Sequence, residues 1–227
     1  MKPIIGIVSR PGITKNDSLV HSVEESYKNA VIRFGGIPIV ILPQQDVIFH
    51  TTKTEDMSKM NDEEIDSLNR ILSLCDGFII PGGYRVYEYD YYVCKYAKDN
   101  NIPILGICAG MQTMCSIDNP ECTNILIEEE NHFKEDDSTH SIDVIKNTLL
   151  YEILNTNKIE VNSYHRYKVS DSGIYKVSAN SDNCIEAIEY PENNFYLGVQ
   201  WHPEKTIETD INSKKIFIKF INSTQKK

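Results

Sequence analysis

Long apolar runs, paired cysteines and an excess of basic residues are all missing from this sequence of 227 residues. No run of 18 or more apolar residues occurs, so we expect no membrane-spanning helix. The net charge is −10, with 23 Lys and Arg against 33 Asp and Glu. Nucleic acids and anionic membranes both need concentrated positive charge on a protein, so neither is expected as a partner.

The six cysteines are scattered and never form a C-x-x-C pair. Structural zinc sites usually contain such pairs, so we predict no metal and no other cofactor. The N-terminus "MKPIIGIVSR" lacks the long apolar region and the small-residue cleavage site of a signal peptide. We therefore expect a cytoplasmic protein with reduced thiols.

The first half of the sequence alternates between apolar segments and helical patterns. The apolar segments cover residues 3–9, 37–43, 76–83 and 101–108, and the helical patterns cover residues 23–34, 62–75 and 87–100. This alternation is typical of parallel strands with helices on both faces. The predicted class is therefore α/β, with a doubly wound and mostly parallel sheet. The length favours a single domain over residues 1–227.

The second half is richer in short β segments. These segments cover residues 140–145, 158–164, 167–179, 184–190 and 195–201. They predict antiparallel strands, added at the edge of the sheet or forming a small subsheet. A closing helix is predicted over residues 213–222.

Three further segments have no assigned function. Residues 51–61 and the acidic segment 127–139 lack periodicity, and both are interpreted as exposed loops. A cationic leaving amine would give the acidic segment a binding role. The tyrosine-rich segment 84–96 predicts a helix that packs aromatic faces. Alternatively, Tyr84 and Tyr87 line a substrate pocket.

The stretch "ILGICAGMQ" surrounds Cys108 with Gly106 and Gly110. A strand that ends at Ile107 and a helix that begins just past Cys108 would form a nucleophile elbow, G-x-C-x-G. The helix N-terminus would stabilise a thiolate and present the Ala109 N–H to an oxyanion. The alternative is a buried cysteine in an ordinary strand-to-helix turn.

A base and an orienting acid occur downstream in "GVQWHPEK". A thiol nucleophile needs a base, and the base needs an acceptor that orients it. On an extended segment, His202 and Glu204 would project to the same side, with Pro203 fixing the backbone between them. The alternative is a surface His-Pro-Glu loop without chemistry.

Paired glycines end the third strand in "IIPGGY". Glycines allow the backbone to approach a ligand and to point N–H groups at it. We assign the second oxyanion donor to Gly83, with Gly82 as the alternative. A Gly-Gly pair on its own also fits a plain turn.

Together these motifs resemble the class I glutamine amidotransferase superfamily. Within it the chain is most similar to the γ-glutamyl-γ-aminobutyrate hydrolase group, which is the peptidase C26 family. The similarity runs almost end to end, through "KPIIGI", "FGGIPIVILP", "CDGFIIPGG", "GICAGMQ", "VNSYH" and "IEAIEY…YLGVQWHPEK". "VNSYH" followed by "IEAIE" favours the hydrolase branch.

The resemblance implies hydrolysis of a small γ-glutamyl amide through a thioester on Cys108. His202 would take the thiol proton and pass it to the leaving amine, and Glu204 would orient His202. The N–H groups of Gly83 and Ala109 would bind the oxyanion. By the same match, the glutamyl end would be held by Gln112 and by the segment Ser163, Tyr164 and His165.

Other interpretations remain open at this point. The first is a glutaminase subunit that supplies ammonia to a separate synthase partner, and the second is a non-catalytic binding module with the same fold. Intracellular proteases with this elbow usually carry the base directly after the cysteine, where Ala109 stands here. The hydrolase branch usually has Arg at that position and a second His where Arg166 stands, so the leaving-amine side differs. A homodimer is compatible with the sequence.

Overall fold

The computed structural model describes residues 1–47, 59–83, 87–117, 119, 122, 124–126 (backbone only), 138–182 and 184–225. Within them the strands are β1 (Ile4–Val8), β2 (Arg10–Ile13), β3 (Leu19–Ser22), β4 (Ile37–Ile41), β5 (Gly77–Ile80), β6 (Ile104–Ile107), β7 (Asn124–Leu126), β8 (Thr139–Val144), β9 (Lys158–Asn162), β10 (Tyr167–Val169), β11 (Lys176–Ser181), β12 (Cys184–Glu189) and β13 (Tyr196–Val199). The helices are α1 (Glu25–Arg33), α2 (Asp62–Leu72), α3 (Glu88–Asp99), α4 (Ala109–Ser116), α5 (Leu149–Leu154) and α6 (Ile211–Ser223).

One large sheet organises these elements, in the order β4-β1-β5-β6-β13-β12-β11-β8-β9. The pairs from β4 through β13 are parallel, and those from β13 to β9 are antiparallel. The carboxyl ends of the parallel strands share one edge, which is where open α/β sheets carry their sites. The predicted α/β class with a large, mostly parallel sheet is confirmed.

β13 differs from the prediction of antiparallel strands in the second half. It pairs in parallel with β6, in the register Tyr196↔Ile104 to Val199↔Ile107. All four of its residues are buried, so it is a central strand and not an edge strand. The error has a physical cause, since an apolar run of this length does not reveal its direction. The parallel pairing sets the segment after β13 beside the end of β6.

Helices cover both faces of the sheet, as predicted. One core cluster unites β-sheet residues with α1, α5 and α6, and includes Tyr27, Phe217 and Phe220. A second cluster unites the opposite face with α2, α3 and α4. Each sheet face thus buries its apolar side chains under three helices.

Local sequence explains where several helices begin. At α2, the Asn61 side chain accepts from the Glu64 N–H while the Glu64 carboxylate accepts from the Asn61 N–H, which forms a capping box. At α6, the Asp210 carboxylate accepts from the N–H groups of Asn212 and Ser213. The predicted closing helix is therefore present, and it begins two residues earlier than expected.

The β2–β3 hairpin and α5 are among the described elements that the sequence patterns did not predict. The β2–β3 hairpin contains Pro11 and Gly12, which weaken a strand pattern. α5 has only six residues, too few to show a helical period. The acidic segment up to Asp137, residues 51–58 and Tyr84 lie outside the described residues. Within the described residues, every helix is too short or too polar to cross a bilayer.

Candidate active site

Cys108 occupies the sharp turn between β6 and α4. Its backbone has φ 53° and ψ −108°, a conformation that non-glycine residues rarely adopt. Its N–H donates to the carbonyl of Val199 (2.8 Å), and its carbonyl accepts from the Gln112 N–H (3.1 Å). The turn therefore holds the thiol at the carboxyl edge of the sheet, at the start of a helix.

The two glycines beside Cys108 are required by close packing. A Cβ on Gly110 would lie 2.1 Å from the carbonyl oxygen of Ile80 in β5. A Cβ on Gly106 would lie 2.9 Å from the Gly110 carbonyl carbon and 2.7 Å from Met114 Sδ. α4 can therefore approach the sheet only because both positions lack a side chain.

His202 and Glu204 meet as the sequence predicted, although the local backbone differs. The segment forms a 3₁₀ turn over Pro203–Lys205, whereas an extended segment was expected. His202 Nδ1 nevertheless lies 2.7 Å from Glu204 Oε1, and the Glu204 side chain is fully buried. Since a carboxylate only accepts, Nδ1 carries a proton in this contact, and Nε2 is the ring nitrogen that remains for Cys108.

The backbone of His202 is fixed by a residue of β9. The Asn162 amide donates to the His202 carbonyl (2.8 Å), and its oxygen accepts from the His202 N–H (2.8 Å). This pair of hydrogen bonds ties the antiparallel half of the sheet to the predicted base. Asn162 lies in the motif "VNSYH", but nothing in that motif indicates that its partner is His202.

The electrostatics favour a protonated His202. Burial by itself would lower its pKa, but the charge of Glu204 and hydrogen bonds with Cys108 and Glu204 outweigh burial and raise the pKa to about 10. A base with a raised pKa takes a thiol proton readily. The arrangement can therefore support a thiolate–imidazolium pair.

The predicted oxyanion loop follows β5 and lies against this pair. A Cβ on Gly82 would lie 2.7 Å from His202 Cε1 and 3.5 Å from Cys108 Cβ. The Gly82 N–H donates to the hydroxyl of Tyr27 (2.9 Å). Because that hydrogen bond already uses the Gly82 N–H, the N–H of the exposed Gly83 is the better candidate for the second oxyanion donor.

Arg10 and Asp90 brace this loop from behind. Arg10 Nε donates to the Gly82 carbonyl (3.1 Å), and an Arg10 terminal nitrogen donates to the Pro81 carbonyl (2.5 Å). The other terminal nitrogen binds both oxygens of Asp90, at 2.6 and 2.8 Å. The backbone direction at Gly82 is thus set by a cation from β2 and an anion from α3.

Two of the predicted substrate residues lie close to the site. The Tyr164 ring stands edge-on to the His202 ring, with 5.7 Å between centroids, and Lys205 Nζ lies 4.9 Å from the Tyr164 centroid. Gln112 is buried, and its amide nitrogen donates to the Tyr167 carbonyl (3.0 Å) and to Gln200 Oε1 (3.2 Å). Tyr164 therefore flanks the predicted base, and Gln112 ties α4 to β10.

Ser163 and His165 are more deeply buried than a substrate-lining role suggests. Ser163 is fully buried, and its N–H donates to the Ser138 carbonyl (2.8 Å). His165 is 2% exposed and directs Nε2 toward Glu186 Oε1 at 4.0 Å. Both residues flank Tyr164 in the sequence and are buried, so neither side chain is exposed to a substrate.

Four residues that shape the site were missed by sequence reasoning. They are Arg10, Tyr27, Asp90 and Asn162. Arg10 and Asp90 stand 80 positions apart, and neither lies in a recognisable motif. Such contacts are created by the fold, so only Asn162, inside a quoted motif, carried any signal.

Comparisons with known proteins identify the family of the chain. The family model "Peptidase C26" matches residues 87–204, slightly more than half of the chain. A glutamine amidotransferase-like protein of Rickettsia prowazekii is 28% identical and covers 89% of this chain and 91% of its own length. The CTP synthase of Staphylococcus haemolyticus is 26% identical over 90% of this chain. The chain spans only 43% of that synthase.

Solved structures share the fold at low identity. A GMP synthase subunit from Thermoplasma acidophilum has a TM-score of 0.68 and 17% identity, covering 99% of this chain and 95% of its own. The CTP synthase glutaminase domain of Trypanosoma brucei, with bound acivicin, has a TM-score of 0.65 and 18% identity. The match covers 98% of this chain and 94% of that domain. The chain belongs to the peptidase C26 family and is an amidohydrolase of the glutamine amidotransferase type.

Proposed function

We propose that the protein hydrolyses the γ-glutamyl amide bond of a small γ-glutamyl compound, releasing glutamate and an amine. Cys108 is the nucleophile, His202 the general base and acid, and Glu204 the residue that orients His202. The observation that carries the proposal is the 2.7 Å contact between His202 Nδ1 and Glu204 Oε1, beside a cysteine with φ 53°. A scaffold alone has no need for this combination.

The proposed reaction has two steps. The Cys108 sulfur attacks the γ-carbonyl carbon, and His202 gives the thiol proton to the amine as the carbon–nitrogen bond breaks. Water then attacks the γ-glutamyl thioester carbon and gives one proton to His202. The carbon–sulfur bond breaks, glutamate leaves, and His202 returns the proton to the Cys108 sulfur. The N–H groups of Gly83 and Ala109 stabilise the oxyanion in both steps.

The substrate side of the proposal rests on Tyr164. Its ring adjoins His202 and Lys205, so it is suited to line the glutamyl pocket. Ser163 and His165 support that segment from the interior, and Gln112 supports the nucleophile helix. Ser163, His165 and Gln112 are therefore proposed as positioning residues, whereas the family resemblance implies that they contact the substrate directly.

The test is a panel of γ-glutamyl amides plus free glutamine, with glutamate release followed by mass spectrometry. Cys108→Ala is the control, because it removes the thiol and keeps the Cβ that this backbone conformation already holds. We expect glutamate from at least one conjugate, and a loss of at least about 1,000-fold in the variant. The same turnover in Cys108→Ala would overturn the proposal.

A second candidate function is favoured by the match to CTP synthase. That similarity extends over 90% of this chain but only 43% of the synthase, as expected if this chain corresponds to a glutaminase unit. Under this alternative, the chain releases ammonia from glutamine and passes it to a separate synthase. Glutamine turnover that appears only after a synthase is added would favour it, whereas turnover of a γ-glutamyl conjugate by the chain alone favours the hydrolase.

A further inference from the structure

A cluster of metal-ligating side chains lies apart from Cys108, in the antiparallel half of the sheet. His140 on β8, His165 just after β9 and Glu186 on β12 each offer one ligand atom, and these atoms all lie within 4.8 Å of one another. The side chains of His140, His165 and Glu186 are 9%, 1% and 0% exposed. The proposed functions give no role to His140 or Glu186, and His165 only supports the Tyr164 segment.

The hydrogen bond at the far side of His165 fixes its ring. His165 Nδ1 lies 3.2 Å from the Tyr167 carbonyl, and since a carbonyl only accepts, Nδ1 carries the proton. A neutral His165 therefore presents the Nε2 lone pair on the side of Glu186. Metal-binding histidines commonly donate their second ring nitrogen to a backbone carbonyl in this way.

The gap between His165 and Glu186 suits a bridging cation. Two electron-rich atoms, His165 Nε2 and Glu186 Oε1, face each other at 4.0 Å, which is too long for a direct hydrogen bond. His140 Nε2 lies 3.0 Å from the same oxygen. In a tetrahedral zinc site with bonds of about 2.0–2.2 Å, ligand atoms are separated by roughly 3.3–3.6 Å. The distances from Glu186 Oε1 to His140 Nε2 (3.0 Å) and to His165 Nε2 (4.0 Å) lie below and above that separation.

We propose that His140, His165 and Glu186 form a binding site for a divalent transition cation of the Zn²⁺ class. Two imidazoles and a carboxylate match the ligand preference of Zn²⁺ and leave one coordination position for water or another ligand. Binding uses the lone pair of His140 Nε2, so the ring proton is carried by Nδ1, as in the other tautomer of a neutral imidazole. No sequence motif indicated this site, because its ligands come from two strands, β8 and β12, and from the segment between β9 and β10.

The site would connect the antiparallel strands to the active-site segment. Glu186 accepts the Gln200 N–H through its backbone carbonyl (2.8 Å), two residues before His202. His165 follows Tyr164, whose ring adjoins His202. A bound cation would therefore stabilise the wall next to the proposed base without taking part in the chemistry of Cys108.

The experiment measures metal binding and not turnover, so it is independent of the proposed function. Cys108→Ala serves as the parent protein, because the active-site thiol could itself bind Zn²⁺. After chelation and dialysis, Zn²⁺ is titrated by calorimetry, and Co²⁺ is titrated by its visible spectrum. We expect one ion per chain and a tetrahedral Co²⁺ spectrum without a sulfur charge-transfer band.

Two ligand variants and one control assign the ion to the cluster. Glu186→Gln and His140→Gln, the least buried ligand, should each weaken binding by at least about 100-fold, because loss of an outer-shell partner alone costs 10–100-fold. His21→Gln removes a histidine outside the cluster and should leave binding unchanged. Zn²⁺ at 100 times its dissociation constant should also shift the folding equilibrium of the parent about 100-fold.

Three results would overturn the site. The first is less than half an ion per chain in the parent, and the second is unchanged affinity in both ligand variants. The third is an equal loss of affinity in His21→Gln. If Glu186→Gln fails to fold, the His140→Gln variant and the Co²⁺ spectrum of the parent still decide the matter.

Discussion

At the scale of single residues, Gly82 shows how tightly the proposed base is confined. A side chain there would collide with His202 Cε1 at 2.7 Å. His202 cannot move away easily, because Glu204 holds its ring and Asn162 holds its backbone. A glycine is therefore needed for space at this position, apart from any role of its N–H.

Gly82→Ala should lower turnover by about 100-fold while the protein remains folded, because misplacing a reacting group by about 1 Å has an effect of that size. The measurement is glutamate release from the best substrate of the panel, with circular dichroism to verify folding. Gly12→Ala is the matched control, since its new Cβ would meet only Val20 Cγ2 at 3.7 Å. Equal activities of the two variants would contradict this account.

At the scale of secondary-structure elements, the Arg10–Asp90 pair joins β2, α3 and the loop after β5. Both side chains are buried or nearly so, at 14% and 0% exposure. Burial raises the pKa of the Asp90 carboxyl even though Arg10 opposes this shift. The pair therefore is costly to bury, and its benefit is the fixed direction of the Pro81 and Gly82 carbonyls.

Asp90→Asn should lower the free energy of unfolding by about 3 kcal/mol, because it leaves the Arg10 charge buried without its anion. Asp99→Asn is the control on the same helix. Asp99 pairs with Lys95 at 3.1 Å, but both side chains are at least half exposed, so the expected loss is below about 1 kcal/mol. Urea denaturation of both variants gives the comparison, and similar losses would show that the buried pair has no special role.

At the scale of the whole molecule, sequence patterns predicted the sheet class and the residues that gather at its carboxyl edge. Cys108 and the His202–Glu204 pair follow strands β6 and β13, and the parallel pairing of those strands brings them together. The direction of β13 was not predictable, because a buried apolar strand has the same pattern in either direction. The Arg10 brace was equally hidden, since nothing local to β2 or α3 records a partner 80 positions away.

The charge state of His202 also affects the stability of the entire chain. Its pKa is raised from an ordinary value of 6.5 to about 10 in the folded protein, so folding favours the protonated ring. The resulting stabilisation is fully present below pH 6.5, where the unfolded chain also binds this proton. It declines as the pH rises and is lost above pH 10, where neither state holds the proton.

Glu204→Gln should remove most of this pH dependence, because the Glu204 charge is the strongest influence that raises the His202 pKa against burial. The difference in unfolding free energy between the unmodified protein and the variant should therefore be largest near pH 6 and shrink toward pH 10. Glu208→Gln is the control in the same segment, since Glu208 is 67% exposed and pairs with Arg33. The unfolding free energy of Glu208→Gln should differ little from that of the unmodified protein, and the difference should be nearly constant from pH 6 to pH 10. A constant difference for Glu204→Gln would mean that Glu204 does not set the charge of His202.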